Sequence, residues 1–369
     1  MSSAAVFGEL RELLHTQPTR ELVERVCESI ADALVEEPHF LAQHLEYVRD
    51  LSRSWPTELK RAPTWFTSLC VELLASEVLD LFDTTTVTCG TDAAYILEHT
   101  DLVIDRVELA SSSDVSAAFW RALSRAPARI ELAKLAAPAS AITKDVVAWM
   151  AQVKTSPGLE ISLHEITSHS AQERAAALLE VVLARGLSSA SLSFSSDPLT
   201  TARDTSRLWG RLAGCASARL ERLEIAGIMI TSREAGVLGE WLVEAAPSEL
   251  ILRDVVATTP RVVADMVRGA FANLEAIVVE GVREDVVTAL LSGAAQLDVL
   301  TSIKLVACRV GFVSGALERV LRRSGDLEVL EVFEVDPIHL SETRRWLTEA
   351  KDLEFVVNLG LLDQLDASP

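Results

Sequence analysis

Five of the 369 residues are cysteine (Cys27, Cys70, Cys89, Cys215 and Cys308), and no two of them form a C-x-x-C pair or a metal-ligand spacing. An odd, scattered set in a chain of this size reads as reduced, mostly buried thiols. It argues against a disulfide framework or a zinc site. Lysine is scarce at six residues, so the basic side chains are mostly arginine. No apolar run approaches the roughly 18 residues that a membrane span needs. The opening MSSAAVFGELRELLHT has neither a basic n-region nor a continuous apolar h-region, and is not read as a signal peptide. The expectation is a cytoplasmic protein without membrane insertion. Proline is sparse and scattered and there is no low-complexity run, which argues against long disordered tails.

Motifs of catalysis are lacking as well. There is no GxxxxGK[ST] and no GxGxxG. GFVSG at Gly311–Gly315 is not G-x-S-x-G, because Ser314 sits one place too late for a nucleophile elbow. The seven histidines are scattered: His39 and His44 lie five apart, an awkward spacing for shared ligation, and His164 and His169 flank a strand-to-helix turn without further ligands. The sequence therefore offers no catalytic residue, no cofactor-binding residue and no metal ligand, and the chain is read as non-enzymatic.

What is present is a large apolar fraction, 49% of residues, with a mean hydropathy of +0.25 and a formal charge of −20. Residues 1–100 hold seventeen acids and seven bases, so half of the excess negative charge lies in about a quarter of the chain. Such acidity works against nucleic acid and anionic membrane as partners and favours solubility or a basic protein partner. Plain solvation of helix faces explains it equally simply.

Segments 3–15, 19–35, 38–52 and 64–83 carry apolar residues at helical spacing. Leu22, Val26, Ile30 and Leu34 recur every fourth residue, and Phe66, Leu69, Cys70, Leu73, Leu74 and Val78 form a wide stripe. These predict an all-α domain over residues 1–83, either capping the rest of the chain or docking through its acidic surface. Residues 84–101 read as a connector or a degenerate first repeat.

From about Leu102 one pattern recurs to the end of the chain. Its middle apolar positions are Val107, Ile130, Ile161, Ala190, Leu223, Leu250, Ile277, Ile303, Leu330 and Val356, separated by 23, 31, 29, 33, 27, 27, 26, 27 and 26 residues. Each short alternating piece is followed by a helical one, for example REAGVLGEWLVEAAPS. Units of a strand and a helix cannot bury their apolar faces alone, whereas stacked neighbours make one continuous core. The sharpest instance is Asp298–Asp326, where Leu300, Ile303, Leu305 and Cys308 fall on L-x-x-L-x-L-x-x-(N/C). The tryptophans Trp120, Trp149, Trp209, Trp241 and Trp346 all fall in the helical pieces and read as core filler.

With LERLEIAGI, LTSIKLVAC and LEVLEVFEV as its clearest units, roughly residues 102–362 of the region assigned to 102–369 resemble the leucine-rich repeat family, in its ribonuclease-inhibitor-like class with a helix in every unit. The resemblance implies an α/β solenoid of about ten units, parallel strands inside and helices outside, used for protein–protein recognition. The chain departs from the family at the Asn/Cys position, where it has Ser112, Leu135, Ile166, Ser195, Ile228, Val255, Val282, Cys308, Val335 and Leu361. Only Cys308 conforms, and it is read as a buried turn residue.

Alternation along each strand then assigns the exposed positions of the concave face. In the later repeats Ile251, Val278, Val306, Val329, Phe333, Phe355 and Val357 come to one side, with Arg253, Glu280 and Glu331 among them. This predicts an apolar docking patch with Phe333 and Phe355 as anchors and the three charged residues at its rim. Cover by the C-terminal LDQLDASP, a homodimer, or a one-residue register slip are the competing readings. The expected function is that of a scaffold or adaptor binding a protein partner. The alternative is a regulator of a partner enzyme, as an inhibitor or a small-GTPase helper.

Overall fold

In a computed structural model of the chain, residues 19–36, 45–46, 48–50, 52–53, 55–110, 117–185, 190–195, 205–213, 220–293, 299–308, 320, 327–333 and 354–358 are described. The chain divides into two compact units, one of residues 1–137 and 144–156, the other of residues 138–143 and 157–369.

The first unit begins with α1 (Arg20–Glu36), whose Leu22, Val23, Val26, Cys27, Ile30 and Ala33 are buried at helical spacing. Thr19 Oγ1 accepts a hydrogen bond from the Leu22 amide and so caps one of the unpaired donors of the first turn. Beyond it the expected all-helical domain gives way to strand. β1 (Arg61–Ala62) runs parallel to β2 (Thr84–Val87), with Arg61 opposite Thr84. The single helix expected over 64–83 is also two, α2 (Thr64–Glu72) and α3 (Ser76–Leu79). The break falls at Leu74, whose φ of 56° is left-handed and ends α2. The strand–helix rhythm is therefore present from residue 61, not from 102. It continues through α4 (Gly90–His99), β3 (Val103–Glu108), α5 (Ala117–Arg125), β4 (Ile130–Pro138) and α6 (Lys144–Met150). β1, β2, β3 and β4 lie side by side in sequence order, all parallel. Trp120 and Trp149 meet between α5 and α6 with ring centroids 5.3 Å apart, both buried, as expected of filler.

The second unit repeats the plan through β5 (Lys154–His164), α7 (His169–Ala184), β6 (Ala190–Ser195), α8 (Ser206–Leu212), β7 (Leu220–Ala226), β8 (Met229–Ile230) and α9 (Ser232–Ala245). It continues with β9 (Glu249–Arg253), β10 (Val256–Ala257), α10 (Pro260–Val267), β11 (Ala276–Glu280), α11 (Glu284–Gly293), β12 (Ser302–Val306), β13 (Val329–Phe333) and β14 (Glu354–Asn358). The main strands again follow sequence order, β5-β6-β7-β9-β11-β12-β13-β14, while β8 and β10 pair separately. Parallel neighbours joined by helices need right-handed crossovers, and a monotonic order sends each crossover to the same side, so the helices cover one face of the sheet. The other face is left open.

Register confirms much of the expected alignment. Leu223, Leu250, Ile277, Ile303 and Leu330 form one row of register partners, and each is at most 2% exposed. Two strands differ. In β6 the partner of both Ile161 and Leu223 is Leu192, not Ala190; the shift is by two, so the faces are kept. In β14 Phe355 pairs with Leu330, and the shift is by one.

The turns after the strands share one backbone device. The residue following β5, β7, β9, β11 and β12 is left-handed in each case: Glu165, Gly227, Asp254, Gly281 and Ala307, with φ between 50° and 62°. The amide of each of three of these bonds to the carbonyl ending the next strand: Gly227 to Arg253 (2.9 Å), Asp254 to Glu280 (2.8 Å) and Gly281 to Val306 (3.1 Å). The next residue is Ile166, Ile228, Val255, Val282 or Cys308, each at most 4% exposed. The position after each left-handed residue is thus a core position in this chain. The Cys308 thiol donates to the Val306 carbonyl (3.3 Å) and, more distantly, to Val279 (3.6 Å), and burial pushes its pKa up to about 11.

A buried carboxylate ties two helix starts together. Glu234 closes a capping box with Thr231 at the head of α9 and also accepts from the Thr205 amide and hydroxyl, both at 2.5 Å. Thr205 Oγ1 in turn accepts from Trp209 Nε1 at 3.0 Å.

Candidate functional site

The open face of the second unit's sheet is built from every second residue of its strands. Register sets three columns across β7, β9, β11, β12 and β13. They are Arg222–Glu249–Ala276–Ser302–Val329, Glu224–Ile251–Val278–Lys304–Glu331 and Ala226–Arg253–Glu280–Val306–Phe333. Parallel neighbours lie about 4.8 Å apart, close enough for long side chains to meet across strands.

The charged members are mutually paired. Arg253 spans two strands, donating from Nη1 to Glu224 Oε1 (2.5 Å) and from Nε to Glu280 Oε2 (2.7 Å). The Glu280 hydrogen bond, aided by the charges of Glu224 and Glu280, raises the Arg253 pKa further above its ordinary value. Arg222 lies 3.5 Å from both Glu224 and Glu249. The result is a ladder, Glu249–Arg222–Glu224–Arg253–Glu280, in which acid and base alternate, with one link within β7 and the other three between neighbouring strands. Glu224 sits at its centre with a side chain only 14% exposed. Farther on, Lys304 pairs with Glu331 at 2.9 Å.

Of the residues expected in the docking patch, Val278, Val306 and Val329 do come to this face, each half-buried. Ile251 does not join an exposed patch: it is 3% exposed. It lies between Glu249 and Arg253 on its own strand and beside Glu224 in register, so the stems of the ladder close over it. Arg253, Glu280 and Glu331 are members of cross-strand pairs and not separate rim charges. The strand residue Phe333 pairs in register with Val306 and so takes the expected column. Phe355 lies opposite Leu330 of the core row in register, one place off the expected alignment.

The centre of the ladder, Glu224, and its partner Arg222 were absent from the expected site, as was Lys304. The signal for them was in the sequence. Glu224, Arg253 and Glu280 stand 29 and 27 residues apart, and Lys304 and Glu331 27 apart, near the repeat length and with opposite signs at each step.

No family model matches this chain, and no curated protein matches it. Among solved structures, the crystal structure of the Rad7 and Elc1 complex in yeast is similar over 92% of this chain and 98% of that chain, at 12% identity and a TM-score of 0.39. A likeness of that size decides neither fold nor function, and both rest on the geometry above.

Among the described residues, no group of three or more His, Cys, Asp or Glu side chains could hold a metal ion, and no helix is long and apolar enough to cross a membrane. The open face can be read for recognition chemistry. Its charges are fixed in place by their own partners. Between them lie half-buried valines that would lose water on contact with an apolar side chain. Such a face is pre-ordered, which lowers the entropy lost on binding.

Proposed function

We propose that this protein is a non-enzymatic interaction scaffold of leucine-rich-repeat-like architecture, in the ribonuclease-inhibitor-like class, that holds a protein partner against the open sheet face of its second unit. The observation that carries the reading is the setting of Val278 between the Arg253-centred ladder and the Lys304–Glu331 pair, with Val306 and Val329 beside that pair on its own two strands. Apolar contacts flanked by fixed charges of both signs suit a protein surface. They suit a polyanion poorly, because each cation already has a carboxylate.

The test uses the full chain with a photoreactive residue in place of Val278, exposed to cell extract. The expected result is a dominant protein adduct that is lost when Val306→Asp is added. A second probe replacing Glu240, exposed on α9 in the helical layer, should not give that adduct. Adducts indifferent to Val306→Asp, or equally abundant from position 240, refute the assignment of this face.

A further inference from the structure

The first unit carries a different surface that the sheet-face reading does not use. Trp65, Leu69 and Leu73 repeat every fourth residue along α2, on the side turned away from buried Phe66, Cys70 and Val71. Trp65 is 43% exposed, Leu73 42% and the adjoining Leu74 73%, while Leu69 is half-buried. These are three of the seven large apolar side chains left exposed among the described residues, gathered on one helix and its cap.

Leu74 is the stranger member. The Leu74 amide bonds to the Val71 carbonyl (3.2 Å) and the Ala75 amide to Cys70 (2.8 Å), the two bonds of a Schellman ending. That ending places the residue after the helix cap in the left-handed region, where glycine is the usual choice. This chain puts leucine there, at φ 56°, and points it at water. Backbone strain and exposed apolar surface at the same residue both work against the isolated fold. Such a combination persists where a contact outside the fold uses it.

The rim is acidic. α1 packs beside α2: Trp65 Nε1 donates to Glu24 (3.1 Å), and Arg20 donates to the carbonyl of Arg61, just ahead of α2 (3.1 Å). Glu21, Glu28 and Glu72 are exposed and make no ion pair among the described residues. Of the nearby cations, Arg20 pairs with Glu24 at 3.2 Å and Arg49 with Glu46 at 3.0 Å, while Arg25 stands on α1 between Glu21 and Glu28.

We propose that the groove between α1 and α2 docks a basic amphipathic helix of a partner protein. Its apolar side chains would lie along Trp65, Leu69, Leu73 and Leu74, and its Lys and Arg would meet the carboxylates of Glu21, Glu28 and Glu72. Two helices packed side by side present a groove into which a third packs ridge against furrow, and an amphipathic helix supplies anchors at the matching three- and four-residue spacing. Charge selects among occupants. A second copy of this acidic chain would set carboxylates against carboxylates, and an anionic membrane would do the same.

The test is independent of the sheet face. A fluorescent peptide of about 18 residues, with Leu at i, i+3, i+4 and i+7 and Lys elsewhere, is titrated with the full chain and followed by anisotropy. It is compared with a peptide of the same composition in scrambled order and with one in which Glu replaces Lys. The expected result is saturable binding of the first peptide only, weakened roughly tenfold or more by Trp65→Ser. Leu74→Gly should weaken binding several-fold while raising the urea midpoint, because it removes strain and a contact together. That second variant keeps the test sharp should Trp65→Ser fold poorly. The proposal is overturned by equal binding of the scrambled peptide, by unchanged affinity in Leu74→Gly, or by self-association of the unmodified chain that Trp65→Ser abolishes.

Discussion

The left-handed turns allow a test in which two opposite substitutions have opposite signs. Gly281 (φ 62°) and Ala307 (φ 52°) occupy the same place in adjacent repeats, one residue after β11 and β12. A side chain in the left-handed region costs about 1–2 kcal/mol. Against this, replacing glycine by alanine restricts the unfolded chain and returns about 0.4–1 kcal/mol. Gly281→Ala should therefore destabilise by about 1 kcal/mol. Some further cost is expected because a Cβ there would overlap Asp254 Oδ1, which must swing aside. Ala307→Gly reverses the balance and should stabilise by about 1 kcal/mol. With a urea slope of about 1–3 kcal/mol/M, the two midpoints should move apart by roughly 1 M, at unchanged slope. Were Ala307 extended like an ordinary strand residue, glycine there would instead weaken the fold. A lowered midpoint for Ala307→Gly refutes the ladder of left-handed turns.

Other consequences arise from single contacts. Glu234→Ala removes both the capping box and the acceptor of Thr205, and should cost about 3 kcal/mol by urea denaturation, with Glu234→Gln losing less because it keeps an acceptor. Arg253→Met strips Glu280 of its partner and leaves Glu224 with Arg222 alone; a loss of about 1 kcal/mol is expected, smaller at high salt, and coupled to Glu280→Gln in a double-mutant cycle. With its pKa raised to about 11 by burial, the Cys308 thiol stays protonated through pH 8, so alkylation should track unfolding; labelling of the native chain at the rate of a free thiol would contradict its place in the core. Cys308→Val should cost less than about 1.5 kcal/mol, since Val255 and Val282 fill the same place in neighbouring repeats and the Val306 carbonyl already accepts from Gly281.

The sequence was most readable where the repeat length is constant. Between Leu223 and Leu330 the steps are 26 or 27 residues, and every aligned position falls in the observed row. Where the length grows to 31, from Ile161 to Leu192, an alanine two places early looked equally apolar, and only pairing with β5 and β7 selects Leu192. That error was harmless, because a shift of two keeps each side chain on its face. At β14 the register is off by one, because FVV and VVN alternate equally well by themselves and the choice is made by pairing with β13. β1 was missed for a different reason: two residues are too few to show a period, and Arg61 and Ala62 have no alternation to detect. The open face was misread in energy more than in place. Composition counted Arg253, Glu280 and Glu331 as separate charges, whereas neighbouring strands set each against an opposite charge.

The turn ladder and the charge ladder divide the labour of the second unit. Inside, the residue after the left-handed one is apolar or thiol in five described turns, and in three of them the turn closes by a backbone bond to the adjacent repeat. A turn closed by backbone makes little demand on its side chain beyond size, which is why isoleucine, valine and cysteine all serve at that position. Sequence character is thereby concentrated on the open face, where Arg222, Glu224, Arg253 and Lys304 differ from repeat to repeat and no core requirement fixes them. The side chains that distinguish one repeat from the next thus lie where a partner could read them, which is the arrangement a recognition surface needs and a purely structural stack does not.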